Sequence, residues 1–430
     1  MSVNEVVVGA QKRSRVRWVV AAMMWAAIAI NFIDRTAVSV AAPHIMKELD
    51  INTAEMGILM AGFFWTYAML QIPAGYLADK FGQKITLGMS LLWWSIATGM
   101  TGLAVGFKSL MGLRMFLGIG EAGAYPSNAA ITAKWFPKQE RATIGGLFDS
   151  GSKFGGAVGM PIITWLMLTL GWKEMFVVLG SLGVVWAVVW FKFFKERPED
   201  HPGVNAEELE YIRSGQDVVV KKEMPMKWYQ LLKYRNIWAM CIGFFMINYN
   251  SYFFITWLPT YLMKERGLSL TQMGLVAALP MICAVVVEVL AGYVSDRVHS
   301  SNKLSLTTTR KLFICVGLGM ASCIGFSAFT DSLAATVILL CIAKSGTVVA
   351  ASQVWALPGE VAPNNMTGIV AGIQNSVSNM GGVVGPIVTG FIVTYTGHFQ
   401  YALVFSAFLI FIAMINYIFL LKKVEQIKIN

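Results

Sequence analysis

The sequence predicts an all-α integral membrane protein: twelve transmembrane helices in two pseudo-symmetric six-helix bundles, both termini cytoplasmic. Three observations carry that reading. Hydrophobic residues make up 56% of the 430 and charged residues only 13%, where soluble domains are nearer a quarter charged. Apolar stretches of membrane-crossing length recur from residue 18 to residue 421, with charges concentrated in the gaps. The second half also repeats the first. GYLADK at 75–80 returns as GYVSDR at 292–297, and DSGSKFGGAVGMP at 149–161 lines up with QNSVSNMGGVVGP at 374–386. Backbone exposed to lipid must satisfy its own hydrogen bonds, which makes the spans helices.

The first span, 18–42, follows Lys12, Arg13, Arg15 and Arg17 in the tail 1–17. That start resembles a signal peptide, but the run passes signal length and continues through Asp34 and Arg35, so it is a retained helix. Span two (53–79) carries Tyr67 and closes on GYLADKFGQK; span three is 85–107. Span four (109–133) contains RMFLGIGEAGAYP, which sets Arg114 and Glu121 nearly two turns apart on one face. Gly118 and Gly120 permit close packing beside them, and Pro126 weakens the helix beyond. Span five (140–168) holds Asp149, Ser152 and Lys153, and span six (172–194) completes an N-terminal bundle of 18–194.

Residues 195–235 form the one long polar interruption, with Pro198, Pro202 and a short helix expected at AEELEYIR. A C-terminal bundle of 236–421 follows, its spans at 236–263, 270–295, 311–330, 332–358, 365–394 and 398–421, then the tail 422–430. Glu288 lies in span eight, one turn before Gly292, where a structural or gating role fits its place beside the second loop motif. Span ten carries Lys344, Ser352 and Trp355, and span eleven Asn375.

Of the 34 Lys and Arg, four fall inside spans: Arg35, Arg114, Lys153 and Lys344. Five (Lys47, Lys108, Lys173, Lys264, Arg266) lie on one side, and all the others lie on the side of the termini, which marks that side as cytoplasmic. The net charge of +10 therefore reflects topology and calls for no nucleic-acid partner. The five cysteines fall in apolar spans without metal spacing, and no cofactor or metal motif is present. An enzyme is disfavoured: the four histidines fall in loops or at span ends, and GxSxG, HExxH and P-loop patterns are missing.

GYLADKFGQK, its copy GYVSDR and the six-plus-six split strongly resemble the major facilitator superfamily over essentially the whole chain. The resemblance makes Gly75, Asp79, Lys80, Gly82, Asp296 and Arg297 a fold and gating element. NFIDRTAVSVAAPHI, WTYAMLQIPAGYLADKFG, GLRMFLGIGEAGAYPSNAAITAKWFP and FFITWLPTYL look like that superfamily's anion:cation symporter branch. That branch includes proton-coupled carriers of galactonate, hexuronates and glucarate, and the sialin and vesicular glutamate carriers.

The resemblance implies Asp34 and Glu121 as proton-coupling carboxylates, with Arg35 and Arg114 as charge partners near the anion. It places Tyr67, Trp355 (with Ser352 one turn before it) and Asn375 at substrate-contacting positions. Each has a plainer reading: an ion pair for Arg114, packing for Tyr67, an interfacial ring for Trp355, helix glue for Asn375. Ser152 and Lys153 stand where some sugar-acid carriers have a neutral amide nearby, and Lys153 can instead pair with Asp149 on its own face. Lys344, with no acid within a turn, is expected to face water or an anion. These cations admit a more acidic, dicarboxylate cargo. The expected function is import of an organic anion by proton symport, the anion being a hexonate, hexuronate or aldarate, by a monomer in the plasma membrane, in bacteria the inner membrane. A dicarboxylate or aromatic-acid carrier, a proton-driven drug exporter and a transporter-like nutrient sensor are the alternatives.

Overall fold

A computed structural model describes residues 13–214, 227–300, 304–363 and 366–427, and every regular element among them is helical. The first half comprises α1 (Val16–Glu48), α2 (Thr53–Phe81), α3 (Gln83–Thr101), α4 (Phe107–Glu121), α5 (Ala124–Trp135), α6 (Lys138–Leu170) and α7 (Trp172–Phe193). The connection holds α8 (Ala206–Ser214), at the expected AEELEYIR. The second half comprises α9 (Arg235–Thr256), α10 (Leu258–Lys264), α11 (Leu270–Ser300), α12 (Leu306–Ala321), α13 (Leu333–Val361), α14 (Thr367–Thr396) and α15 (Gln400–Ile415). Among the described residues, eight helices are long and apolar enough by themselves to cross a membrane.

Local chemistry explains the ends and the breaks. Asn52 caps α2 reciprocally: its side chain accepts from the Glu55 N–H while Glu55 accepts from the Asn52 N–H. The fourth span is interrupted at Ala122 and Gly123, directly after Glu121. Pro126 is the cause: it has no N–H for the carbonyl four residues back, and its ring crowds that carbonyl. The seventh span breaks at Trp257, ahead of Pro259. The third ends at Thr101 and not near 107. Leu103 and Val105, 73% and 85% exposed, lie in the turn beyond, where hydropathy alone extended the helix too far.

Duplication shows in the packing. In the first half α1 packs on α6, α2 on α4, α3 on α7 and α3 on α4. Their counterparts are α9 on α14, α11 on α13, the 322–328 3-10 segment on α15 and α12 on α13. The halves meet along α2 with α14 and α11 with α6, one symmetric pair of crossings. At one end the buried core is continuous across both halves, joining Ile45 and Met56 to Trp257, Leu262 and Leu403. Gly57 and Gly390 allow this seal. A Cβ on Gly57 would run into the Pro386 carbonyl oxygen and stand 3.3 Å from the Gly390 Cα. At the opposite end, where α1 begins and the chain leaves α15, the cores are separate: Val20 and Trp135 belong to one, Ile237 and Leu421 to the other. The molecule is sealed at one end and cleft at the other.

Candidate functional site

A cavity of about 680 Å³ lies between the halves. The first half lines it with Arg35, Tyr67, Gln71, Tyr125 and Asp149, and the second with Asn248, Tyr252, Trp355, Asn375 and Asn379. Four sequence-predicted residues thus meet in one space: Arg35, Tyr67, Trp355 and Asn375. Ser152, Lys153, Lys344, Ser352 and Arg114 are not part of its lining.

Arg35 is the charged centre. Its Nε donates to Glu121 Oε2 at 2.6 Å, with the two side chains 8% and 0% exposed. Its guanidinium carbon lies 4.5 Å from the Tyr67 ring centre and 4.8 Å from those of Phe32 and Phe63. Glu121 ends α4 just before the proline-induced break, and Gly118 and Gly120 bring α4 hard against α2 and α3, which sets this carboxylate inside the first bundle. Arg114, two turns earlier, shares Phe63 from its own side at 5.2 Å; its Nε and Nη1 are buried with no hydrogen-bond partner among the described residues. Asp34 takes the other face of α1. It is buried towards Thr98 and Trp94 of α3, so neighbours in sequence part company in space.

The remaining predicted residues have local partners. Ser152 Oγ donates to the Asp149 carbonyl at 2.7 Å and Ser352 Oγ to that of Val349 at 2.9 Å, both within their own helices. Lys153 pairs with Asp149 at 2.8 Å and reaches Glu288 in the other half at 3.4 Å. Lys344, deeply buried, donates to Ser251 Oγ at 2.8 Å. Trp355 is half exposed and meets Phe244 edge-on at 5.3 Å.

Five polar lining residues escaped the sequence reading: Gln71, Tyr125, Asn248, Tyr252 and Asn379. A helical signal was available for two of them. Gln71 lies four residues after Tyr67 and Asn379 four after Asn375, one turn along the same face. Tyr252, likewise one turn after Asn248, donates to Asn379 Oδ1 at 3.3 Å, which joins α9 to α14.

Of the loop motif, Gly82 has φ +86°, and a Cβ there would stand 2.7 Å from the Glu196 carboxylate, which accepts the Lys84 N–H at 2.9 Å. Gly75 faces Pro126 across α2 and α5, and Lys80 lies over Phe81. The side chains of Asp79, Asp296 and Arg297 lie outside the described residues.

Comparison with known proteins decides the family: the Major Facilitator Superfamily model matches residues 24–386. The chain belongs to that superfamily. It is a multi-pass membrane transporter by family and not an enzyme. A probable galactarate/D-glucarate transporter of Bacillus subtilis (strain 168) is 34% identical over 97% of this chain and 94% of its own length. The D-galactonate transporter of Escherichia coli O6:H1 is 33% identical over 98% and 100%. In fold, a bacterial homologue of the human lysosomal transporter Spinster, inward-facing and unoccupied, superposes with a TM-score of 0.78 at 20% identity, covering 94% of this chain and 97% of its own.

Proposed function

We propose that the protein is a secondary active transporter that imports a sugar acid, a hexonate, hexuronate or aldarate, together with protons by alternating access. Arg35 carries the reading: a guanidinium at the wall of the inter-half cavity, held from behind by the fully buried Glu121. Protonation of Glu121 removes the counter-ion and frees the fork of Arg35 for a substrate carboxylate, a bidentate match. Proton and anion then favour each other's binding by the same factor, which is the thermodynamic content of symport. Asp34, buried near Glu121, is the second titrating carboxylate of this scheme, and Arg114 tunes Glu121 from along α4. Tyr67, Gln71, Asn375 and Asn379 offer hydroxyl and amide partners to a polyol chain, and Trp355 offers an apolar face to its C–H groups.

The substrate class is supported by relatives named as galactarate/D-glucarate and D-galactonate transporters. The excess of basic loops supports a cytoplasmic assignment for the cleft end and the termini, in a plasma membrane. Release then occurs through the open cleft, and reloading requires the halves to rock about the α2–α14 and α6–α11 crossings. Uptake by proteoliposomes tests the proposal. An inside-alkaline gradient should drive accumulation of labelled D-glucarate or D-galactonate, and a protonophore should abolish it. Binding without accumulation would identify a sensor, and proton-driven extrusion of organic cations an exporter; either overturns the proposal.

A further inference from the structure

Where α6 and α11 cross between the halves, charges alternate in a line. Lys153 Nζ of α6 lies 2.8 Å from Asp149 Oδ2 on its own helix and 3.4 Å from Glu288 Oε1 on α11. Lys344 of α13 acts electrostatically on both Glu288 and Lys153. Its amine is bonded to the Ser251 hydroxyl and lies 5.3 Å from the Phe254 ring centre. Asp149 lines the central cavity and accepts from the Tyr125 hydroxyl at 3.2 Å, so the line begins at the wall of the site already described. The Lys153 and Glu288 side chains are 30% and 28% exposed, so the inter-half pair is only partly buried. Arg310 of α12 is paired with Glu360 and bonds Ser295, two turns beyond Glu288, and α10 brings Lys264 at the sealed end.

We propose that Lys153 and Lys344 form a second carboxylate subsite between the halves. Glu288 occupies it in the empty carrier, until the distal carboxylate of a dicarboxylic sugar acid takes its place. The inference rests on the proposed function, in which Arg35 takes the first carboxylate. The chemistry is substitution of like for like: Glu288 and a substrate carboxylate present the same charge and the same acceptor oxygens to Lys153, while Lys344 adds its charge from α13. A monocarboxylic acid ends in a neutral hydroxyl at that point and cannot replace an ion pair with a charge-assisted bond. A diacid can, and the displaced Glu288 turns to the water of the cleft. Selectivity for diacid over monoacid thus resides in the lysines, while Glu288 sets how hard the subsite is to enter.

Equilibrium binding of D-glucarate and D-gluconate to the purified full-length protein tests this, comparing wild type with K153Q, E288Q and R35Q. Lys153→Gln should weaken D-glucarate about tenfold and leave D-gluconate within about twofold. Glu288→Gln, which removes the resident anion, should tighten D-glucarate several-fold with D-gluconate again unchanged. Equal changes for both acids, or none for D-glucarate, overturn the subsite. The K153Q/E288Q double variant removes both charges of the inter-half pair, leaving only the half-exposed Asp149 without its lysine, and serves where a single variant fails to fold. It should still lose the preference for the diacid; a retained preference overturns the inference. Loss of both acids in R35Q together with a selective K153Q supports both readings. A wild type that binds neither these two acids nor D-galactonate and D-glucuronate overturns the proposed function, and this inference with it.

Discussion

Glu121→Gln isolates the proton from the rest of the site. In the wild type the Arg35 Nε–Glu121 Oε2 bond is 2.6 Å long, and Glu121 has no exposure. The amide keeps an acceptor oxygen in place for the still-charged guanidinium, so the hydrogen bond, worth about 1.5–3 kcal/mol with one charged partner, survives while the anion is lost. Full removal of one partner of a buried pair costs about 3–5 kcal/mol, which sets the ceiling reached by Glu121→Ala. The expected destabilisation of Glu121→Gln is therefore about 1–3 kcal/mol, below that ceiling. Part of it should return on adding substrate, whose carboxylate supplies the missing anion: saturation at a hundredfold excess over Kd adds about 2.7 kcal/mol to the stability of the bound state. Thermal unfolding with and without D-glucarate measures both terms. In proteoliposomes the variant should retain exchange of labelled for unlabelled acid, because Arg35 has no anionic partner to compete with the substrate, and lose accumulation driven by a pH gradient. Accumulation at the wild-type level would refute the assignment of Glu121 as the proton carrier.

Other expectations follow from single contacts. Gly57→Leu forces side-chain volume against the Pro386 carbonyl and Gly390 in the sealed end, at a cost of about 1–3 kcal/mol to that closed arrangement. A cysteine placed at buried Ile51, in a background without the five natural thiols, should then label faster; an unchanged rate refutes the seal. Arg17 joins Glu208 of α8 at 2.8 Å to Glu140 of α6 at 3.1 Å, so Arg17→Ala removes the counter-charge of the buried Glu208 and leaves it only the Ser14 hydroxyl and the Val16 and Arg17 N–H groups. Amide exchange across 206–214 should quicken at least about tenfold. His201 packs against Trp135 and Phe193, and its Nδ1 accepts the Gly203 N–H at 3.1 Å, which requires that nitrogen unprotonated. Burial, then the nearby Lys195, hold it below the ordinary histidine value of 6.5. A histidine lowered in the folded state adds stability that is complete above that ordinary value and is lost as pH falls through the folded one. Amide protection of 198–205 should weaken in mild acid, and His201→Phe should make it independent of pH.

Much of this molecule is legible along the chain because hydropathy and turn chemistry act locally. Membrane-length apolar runs, the basic side of the loops, the repeat and the Arg114–Glu121 spacing all belong to neighbouring residues, and from them came the twelve spans, the duplicated halves and the charges worth watching. Even the break after Glu121 is local, written by Pro126. What α3 does after Thr101 is also local, but it depends on chain direction, which an apolar Leu103 does not report.

The site itself depended on lateral packing, which no window of sequence contains. Asp34 and Arg35 are adjacent, yet one is buried against α3 and the other lines the cavity, because a helix turns each successive side chain by about 100° onto a different neighbour. Arg114 and Arg35 both sit near Glu121, but only Arg35 reaches the cavity lining; α2 places Phe63 beside both. Lys153 could be given Asp149 from spacing alone, whereas Glu288, on the opposite half of the duplicated chain, became its second partner only through the crossing of α6 with α11. Which residues carry charge was settled by sequence; which charges face one another was decided by how the two halves pack, since in a bundle each helix chooses its neighbours from segments far away in the chain.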